Sequence, residues 1–577
     1  MKKLIFAMVL AGCLVAGLQG QNLLRYTWKF STGDDPVWAS PGFDDSGWKT
    51  IQAGTDWENQ GYGTYDGFAW YRQTLSIPSS LKEAAEAGGG FILSLGTIDD
   101  ADVTYWNGEF LGRTGGMPPE YETGYNQLRK YSIPPDRIIW DGENTIAVRV
   151  FDGGGGGGIV SGPVGLSVKG LDRQVVVKAV MERDDHLFLN PGPVRFSVTV
   201  ENKLDVNLKG ELVLGGRSDF GEEMVQHTYD LKVRPGELKK IPVDLGELEP
   251  GFYRLSATLE SESDNQRADF AIGVRPEEIS SPLDREDDFG DFWMRAKREL
   301  AAVDPQFRLI RQEQYCTDTR EVYLLEMRSL CNVLIRGWYM RPVREGKYPA
   351  ILSVQGYSSV KSPADLYRGD DMVNLALNIR GHGNSRDQVD PGFPGYILYH
   401  VEDRETYVYR GAYMDCVRAV DFLFSREEVD TTRVAVEGGS QGGALSFATA
   451  ALDNKRIALC IPEVPFLSDF RDYFRVAAWP AGEFFDWFKA HPEVPEDDIY
   501  RNLSYFDIKN LAPWIKAPVF MAVGLKDTTC PPHINFAAYN QLKVPRQYVA
   551  YPESGHSLPG EYYGLMIEYI RKHFNLD

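Results

Sequence analysis

Residues Arg433 to Ala450 read RVAVEGGSQGGALSFATA, and the crowding of four glycines around Ser440 restricts the fold more than any other stretch of the chain. The valine-rich run Arg433 to Glu437 has the composition of a buried parallel strand, and the alanine-rich run Ala444 to Leu452 that of a buried helix. The glycines therefore occupy a strand-to-helix turn. A phosphate-binding loop of the Walker type needs Lys and then Ser or Thr after its second glycine, whereas Gly443 is followed by Ala444 and Leu445, and no GxGxxG spacing is present. What fits is G-x-S-x-G, from Gly438 to Gly442, placed where the nucleophile elbow of an α/β fold belongs. On so sharp a turn the serine leaves no room for side chains on its near neighbours, and the start of the next helix sets a positive partial charge beneath its oxygen. The alternative is a glycine-rich turn with an idle serine.

A hydroxyl alone is a poor nucleophile, so the elbow calls for a base and an orienting carboxylate in the chain order Ser, Asp or Glu, His. His491, His533, His556 and His573 follow Ser440. His556 stands in the loop PESGHS, after the apolar run Gln547 to Tyr551 and before a helical pattern from Tyr562 to His573, which makes it the expected base. His573 falls in that terminal helix, His491 precedes Pro492 in a charged loop, and His533 follows two prolines. Asp527 is the expected carboxylate, because GLKD follows the buried strand PVFMAV (518 to 523), and catalytic groups of open parallel sheets collect at the carboxyl ends of strands. Asp486 and Asp507 compete but follow no clear strand. Two oxyanion donors are expected, the backbone N–H groups of Gln441 and of Tyr357, the latter in QGYSS after the strand YPAILSV (348 to 354).

At 577 residues the chain exceeds a single core. The start, MKKLIFAMVLAGCLVAG, reads as a secretory signal over residues 1–21, pointing to the periplasm, the outer-membrane surface or secretion. LAGC also resembles a lipoprotein box that would acylate Cys13, although the apolar run continues past it and no polar tether follows. No later segment is apolar enough to span a membrane. Five scattered cysteines remain, Cys316, Cys331, Cys416, Cys460 and Cys530, with neither a disulfide framework nor a CxxC metal site, so buried free thiols are expected. The formal charge of −21 argues against a nucleic-acid partner. Residues 22–170 hold short alternating runs and turn signals, an all-β sandwich. Residues 172–275 are β as well: in VRFSVTV, Phe196, Val198 and Val200 face one way and Arg195, Ser197 and Thr199 the other, giving a small immunoglobulin-like sandwich. From about residue 284 to 577 strands and helices alternate, a doubly wound, mostly parallel α/β domain.

Within that last region, NIRGHGNS (378 to 385), YVYRGAYMDCVRAVDFL (407 to 423), EGGSQGG (437 to 443), GLKDTTCPP (524 to 532) and Gly555-His556 resemble the acetyl xylan esterases and cephalosporin-C deacetylases of carbohydrate esterase family 7, an α/β-hydrolase group. The resemblance implies Ser440 as nucleophile, Asp527 and His556 as partners, Tyr357 and Gln441 as oxyanion donors, no metal and no cofactor, and homo-oligomers. Three positions depart from it. His382 replaces a usual Gln and is taken as a structural or pocket residue, Gln355 replaces a usual His, and Ser557 replaces a Glu after the base, which bears on how the His556 loop is anchored.

The first domain is similar to the galactose-binding-like jelly roll that opens many family 2 glycoside hydrolases and sialate acetylesterases, through FDDSGWKTI (43 to 51), GTYDGFAWYR (63 to 72), GTIDDADVTYWNGEFLG (96 to 112) and ENTIAVRVFDGGGGGGI (143 to 159). Asp99 and Asp100 are read as fixing a loop, with a structural cation as the alternative. The run Gly153 to Gly158 is read as letting a loop lie against another surface. The implied function is a secreted serine esterase that removes O-acetyl groups from plant-type polysaccharides. The aromatic stretch YFRVAAWPAGEFFDWF (473 to 488) is the expected lid, with Trp479, Phe484 and Trp487 walling an acyl pocket, or else an ordinary buried helical face. A prolyl-oligopeptidase-like peptidase and a non-catalytic glycan-binding protein are the rival functions.

Overall fold

Alternating sequence between residues 22 and 275 becomes mostly antiparallel sheet. The computed structural model describes residues 22–576 except 64, 155, 170–174, 205, 225, 262–264, 364–368 and 478. The expected signal segment, with Cys13, lies outside the described residues. A six-stranded sheet runs from Lys49–Gln52 at one edge to Glu109–Thr114 at the other, and a three-stranded sheet holds Phe91–Asp99 between Leu128–Ile133 and Gly158–Val168. Their inward faces build one core that includes Trp28, Phe30, Tyr71, Leu93 and Val148, each side chain stabilising by roughly 1.5–3 kcal/mol on burial. Further along, a three-stranded and a five-stranded sheet follow. In Arg195–Asn202 the buried residues are Phe196, Val198, Val200 and Asn202, the period of two read from VRFSVTV. The chain forms two compact units, one of residues up to 182 with 192–248 and 254–270, the other of 183–191, 249–253 and 271 onward.

The second unit is built on a nine-stranded sheet. Its strands in chain order are β1 (Arg308–Arg311), β2 (Arg320–Arg328), β3 (Leu334–Pro342), β4 (Tyr348–Val354), β5 (Val373–Asn378), β6 (Val429–Gly439), β7 (Leu459–Glu463), β8 (Val519–Gly524) and β9 (Arg546–Tyr551). They lie in the order β1-β2-β3-β5-β4-β6-β7-β8-β9. β1, β2 and β3 pair antiparallel with their neighbours, and from β5 to β9 every pairing is parallel. β4 has its successor β5 on one side and β6 on the other. That reversal opens a crevice beyond the carboxyl ends of β4 and β6, where an open parallel sheet binds ligands. Parallel strands are covered on both faces, which is why β5 and β8 are buried at every position. Helix α1 (Val408–Phe424) covers one stretch, and helix α2 (Gln441–Leu452), leaving β6 through Ser440, is buried at all its residues. The chain is thus multidomain, β-rich at its start and α/β-hydrolase-like at its end. Among the described residues no helix is long and apolar enough to cross a membrane.

Candidate active site

Ser440 sits between β6 and α2 with φ 59° and ψ −122°, a left-handed conformation that costs a non-glycine residue about 1–3 kcal/mol and that the surroundings must hold. They do so with backbone bonds: Ser440 N–H donates to Glu463 O (2.9 Å), and Ser440 O accepts from Phe466 N–H (3.0 Å) and Ala444 N–H (3.2 Å). A Cβ on Gly438 or Gly442 would stand 2.6 Å from Val354 O, and one on Gly443 2.7 Å from Glu463 O. Gly439 differs, for its nearest neighbour would be Glu463 Oε2 at 3.4 Å. Steric exclusion around the serine therefore acts at the two motif glycines and at Gly443, not at every neighbour.

Asp527 and His556 follow β8 and β9, adjacent strands of the sheet, and His556 Nδ1 lies 2.8 Å from Asp527 Oδ2. The other Asp527 oxygen accepts from the N–H groups of Thr529 (2.8 Å) and Cys530 (2.9 Å), which fixes the carboxylate in its loop. Burial disfavours a charged imidazole, but the Asp527 carboxylate outweighs it and holds the His556 pKa well above the ordinary value. The loop bearing His556 is seated on Gly524, where a Cβ would stand 2.2 Å from Gly555 O and 2.6 Å from Ser554 O. Lys526 N–H also donates to Ser554 O (2.9 Å). That seat anchors the loop in which Ser557 stands. The partner of the Ser440 hydroxyl is the thiol of Cys530, at 3.8 Å, and no Ser440–His556 hydrogen bond is formed among the described residues. Cys530 is buried, and its burial pushes the thiol pKa up so that it stays protonated. Its place beside the serine could be suspected only from its position three residues after Asp527.

Tyr357 and Gln441 follow β4 and β6, neighbours at the reversal of strand order. Gln441 is the first residue of α2, so its N–H belongs to the first turn, which has no intrahelical acceptor. The Gln441 side chain is held at both ends. Oε1 accepts from Tyr409 Oη–H (2.7 Å), and Nε2 lies 3.1 Å from His382 Nε2. Burial pulls His382 down to about 4. The imidazole is therefore neutral, Nε2 accepting from Gln441 while Nδ1 faces Arg380 O (3.4 Å). His382 is wholly buried, which corrects its reading as a substrate-pocket residue. Its loop is tied down by Arg380, which donates to Asp415 through Nε (2.9 Å), Nη2 (2.7 Å) and the backbone N–H (2.9 Å). Gln355 joins the exit of β4 to the end of β5, its amide oriented to donate to Leu377 O (2.7 Å) and accept from Ile379 N–H (3.1 Å). The phenol of Tyr357 donates to Glu483 (3.0 Å) and accepts from Ile397 N–H (3.3 Å), while Glu483 also accepts from Gly395 N–H (2.7 Å). Glu483 thus links the Tyr357 loop to helix α3 (Ala481–Ala490). Nothing in the aromatic pattern of that helix singled it out.

Ser440 and His556 open on a cavity of about 200 Å³ whose apolar wall is Val464, Leu558 and Tyr563, with Glu463 at its side. The aromatic wall expected from the lid stretch is corrected here. Phe484 is fully buried against Phe470 and Phe474, and Trp487 stacks on His491 at 4.3 Å. Both serve packing, since helical periodicity alone does not distinguish a core from a cavity wall. Trp479 is 36% exposed with its ring 5.7 Å from that of Tyr357, beside the loop after β4. The competing acids go elsewhere: Asp507 caps a short helix through Lys509 N–H (2.8 Å), and Asp486 pairs with Lys489 at the surface. Asp469, Asp472 and His533 bring ligand atoms within 4.8 Å of one another. Both oxygens of Asp469 are already engaged, however, one by Lys509 Nζ (3.0 Å) and the other by the Ser281 hydroxyl, and Asp472 faces His533 (3.6 Å).

The family model for acetyl xylan esterase (AXE1) matches residues 278–573. The chain belongs to the acetyl xylan esterase family. It is a carboxylic ester hydrolase acting on carbohydrate acetyl groups. The acetyl esterase Axe7A of Xylanibacter ruminicola is 28% identical over 355 residues, covering 59% of this chain and 78% of that protein. The β-galactosidase BoGH2A of Bacteroides ovatus is 30% identical over 137 residues, 21% of this chain and 14% of that one. Among solved structures, the acetyl xylan esterase from Paenibacillus sp. R4 is 35% identical, with 52% of this chain and 98% of that one covered at a TM-score of 0.49. Acetyl Xylan Esterase 1 from Thermoanaerobacterium sp. JW/SL YS485 is 31% identical with the same coverage and TM-score.

Proposed function

We propose that this acetyl xylan esterase family member deacetylates xylan-type oligosaccharides outside the cytoplasm with Ser440, His556 and Asp527 as its catalytic groups. Residues 284–577 carry the chemistry, and residues 22–170, read as a galactose-binding-like jelly roll, and 172–275, an immunoglobulin-like sandwich, accompany it. A rotation about χ1 turns the Ser440 hydroxyl from Cys530 to His556. Ser440 Oγ then attacks the acetyl carbonyl carbon while His556 Nε2 takes its proton, and Asp527 keeps the other proton on Nδ1. The oxyanion accepts from the N–H groups of Tyr357 and Gln441, a pair of which one donor is worth about 3 kcal/mol. Collapse breaks the bond to the sugar oxygen, which leaves with the proton from His556. Water, deprotonated by His556, attacks the acetyl-enzyme and releases acetate.

The observation that carries this reading is the 2.8 Å Asp527–His556 contact on a cavity shared with the strained Ser440. A cavity of this size suits an acetyl group, and Tyr563, half exposed at its rim, offers a face to a sugar ring. Acetate release from acetylated xylo-oligosaccharides and from a small acetyl ester is the test. Ser440→Ala is expected to abolish both activities with its fold intact; release from the small ester alone refutes the xylan substrate, and full activity in the variant refutes the nucleophile.

A further inference from the structure

Glu463 lines the cavity beside Ser440 but has no place in the proposed reaction. It ends β7, and its main chain is tied to the elbow: Glu463 O accepts from Ser440 N–H (2.9 Å), and Glu463 lies opposite Gly439 in the pairing of β6 with β7. The side chain lies along the elbow, with Oε2 3.4 Å from where a Cβ on Gly439 would stand. The elbow position that steric exclusion leaves open is therefore faced by a carboxylate. Glu463 is 7% exposed, so it is shielded from bulk water and reached through the cavity. Among the described residues that line the cavity, Ser440 and His556 are taken by the chemistry, and Glu463 is the one carboxylate.

Along the carboxyl edge of the sheet the residues come in the order Tyr357 after β4, Ser440 after β6, Glu463 at the end of β7, Asp527 after β8 and His556 after β9. Ser440 divides that edge into two sides. On the β4 side, a Cβ on Gly356 would stand 3.6 Å from Gly439 O and 3.8 Å from Ser440 Cβ, so the loop carrying the Tyr357 N–H lies against the elbow. The acyl oxygen points to that side, where a carboxylate would oppose the charge it develops. The leaving oxygen points the other way, toward His556, from which it takes its proton. Glu463 stands on this second side, where the sugar attached to the leaving oxygen has to lie. In a partly acetylated sugar the carbon next to the ester carries a free hydroxyl, close to the leaving oxygen. A carboxylate accepts hydrogen bonds, and such a hydroxyl donates one. Building on the proposed esterase reaction, we infer that Glu463 is a specificity-determining residue that accepts a hydrogen bond from the free hydroxyl beside the acetylated one. The preferred substrates are then monoacetylated vicinal diols, sugars included, over esters of lone alcohols.

The test uses the full chain and two esters that differ by one hydroxyl, trans-2-hydroxycyclohexyl acetate and cyclohexyl acetate. Wild-type kcat/KM is expected to be about tenfold or more higher for the hydroxy ester, the effect of one hydrogen bond to a carboxylate. The methyl ether of that hydroxyl, which keeps the inductive pull of the oxygen and loses its proton, should behave like cyclohexyl acetate. In Glu463→Ala the ratio should fall to near unity, and in Glu463→Gln, which keeps the shape and a weaker acceptor, to an intermediate value. The wild-type comparisons need no variant to fold. A wild-type ratio near unity, a methyl ether as good as the free hydroxyl, or an undiminished ratio in Glu463→Ala each overturns the assignment; in the last case, with both esters slowed together, Glu463 acts on Ser440 or on the deacylating water instead. Hydrolysis of neither ester by the wild type removes the esterase reading and the assignment with it. A high ratio without release from xylo-oligosaccharides refutes the xylan substrate and supports the hydroxyl contact.

Discussion

Replacing Gly442 by alanine tests the link between the elbow and the oxyanion loop. The added Cβ would stand 2.6 Å from Val354 O and 3.2 Å from the carbonyl carbon and oxygen of Gln355, all backbone atoms of the strand and loop that lead to Tyr357. At Gly439, one residue before the nucleophile, the closest atom is the side-chain oxygen Glu463 Oε2 at 3.4 Å. Gly442→Ala therefore forces a backbone shift of several tenths of an ångström between β4 and α2, and Gly439→Ala forces none. Overpacking of this kind costs about 1–3 kcal/mol of stability, but the larger effect falls on catalysis. The two N–H donors must lie about 2.7–3.1 Å from the oxyanion, and misplacement by about 1 Å costs on the order of 100-fold in rate. With a small chromogenic acetyl ester, Gly442→Ala is expected to lower kcat by about 100-fold with KM little changed, and Gly439→Ala to stay within about threefold of wild type. Circular dichroism melts establish that both are folded. Wild-type kcat in Gly442→Ala, or an equal loss in both variants, refutes the argument.

The pH profile follows from His556. A base must be unprotonated, and Asp527 holds its pKa well above 6.5, so kcat/KM should rise with pH along a limb centred above 6.5; Asp527→Asn should move that limb down while lowering the maximum, and a wild-type limb centred below 6.5 contradicts the electrostatics. Asp415→Ala leaves the Arg380 guanidinium buried without its carboxylate and should destabilise by about 3–5 kcal/mol in denaturant unfolding; a loss under about 1 kcal/mol rules out the anchoring role. Glu483→Gln keeps an acceptor for the Tyr357 phenol and should retain most activity, whereas Glu483→Ala should lower kcat about tenfold, the effect of roughly 1–2 kcal/mol. Equal kcat in the two variants would show that the Glu483 bond does not position the oxyanion loop.

What the sequence made legible was local. YPAILSV became β4 over the same residues, and the loops after β8 and β9 bring Asp527 and His556 into contact because those strands are neighbours in the sheet. A strand followed by a loop is written contiguously, and chain order supplied the pairing. The supports of the site are different. Gln441 is held by Tyr409 and His382, which reach it from α1 and from the loop after β5, and Glu483 meets Tyr357 from a helix far along the chain; only the folded sheet brings these together. Phe484 and Trp487 take the buried-face reading of the two that the sequence left open, because an aromatic face looks the same in sequence whether it meets a core or a substrate.

Helix α2 has no solvent face: each of its residues from Gln441 to Leu452 is buried. Its amides can exchange with heavy water only when the surrounding unit opens, which places them among the slowest in the protein. The N–H of Gln441, proposed as an oxyanion donor, rides on the first turn of that helix, so the geometry proposed to stabilise charge has no separate, softer melting event of its own. Heating should leave the hydrolase at full strength until the unit that carries it unfolds, and the inactivation curve and the unfolding curve of that unit should coincide.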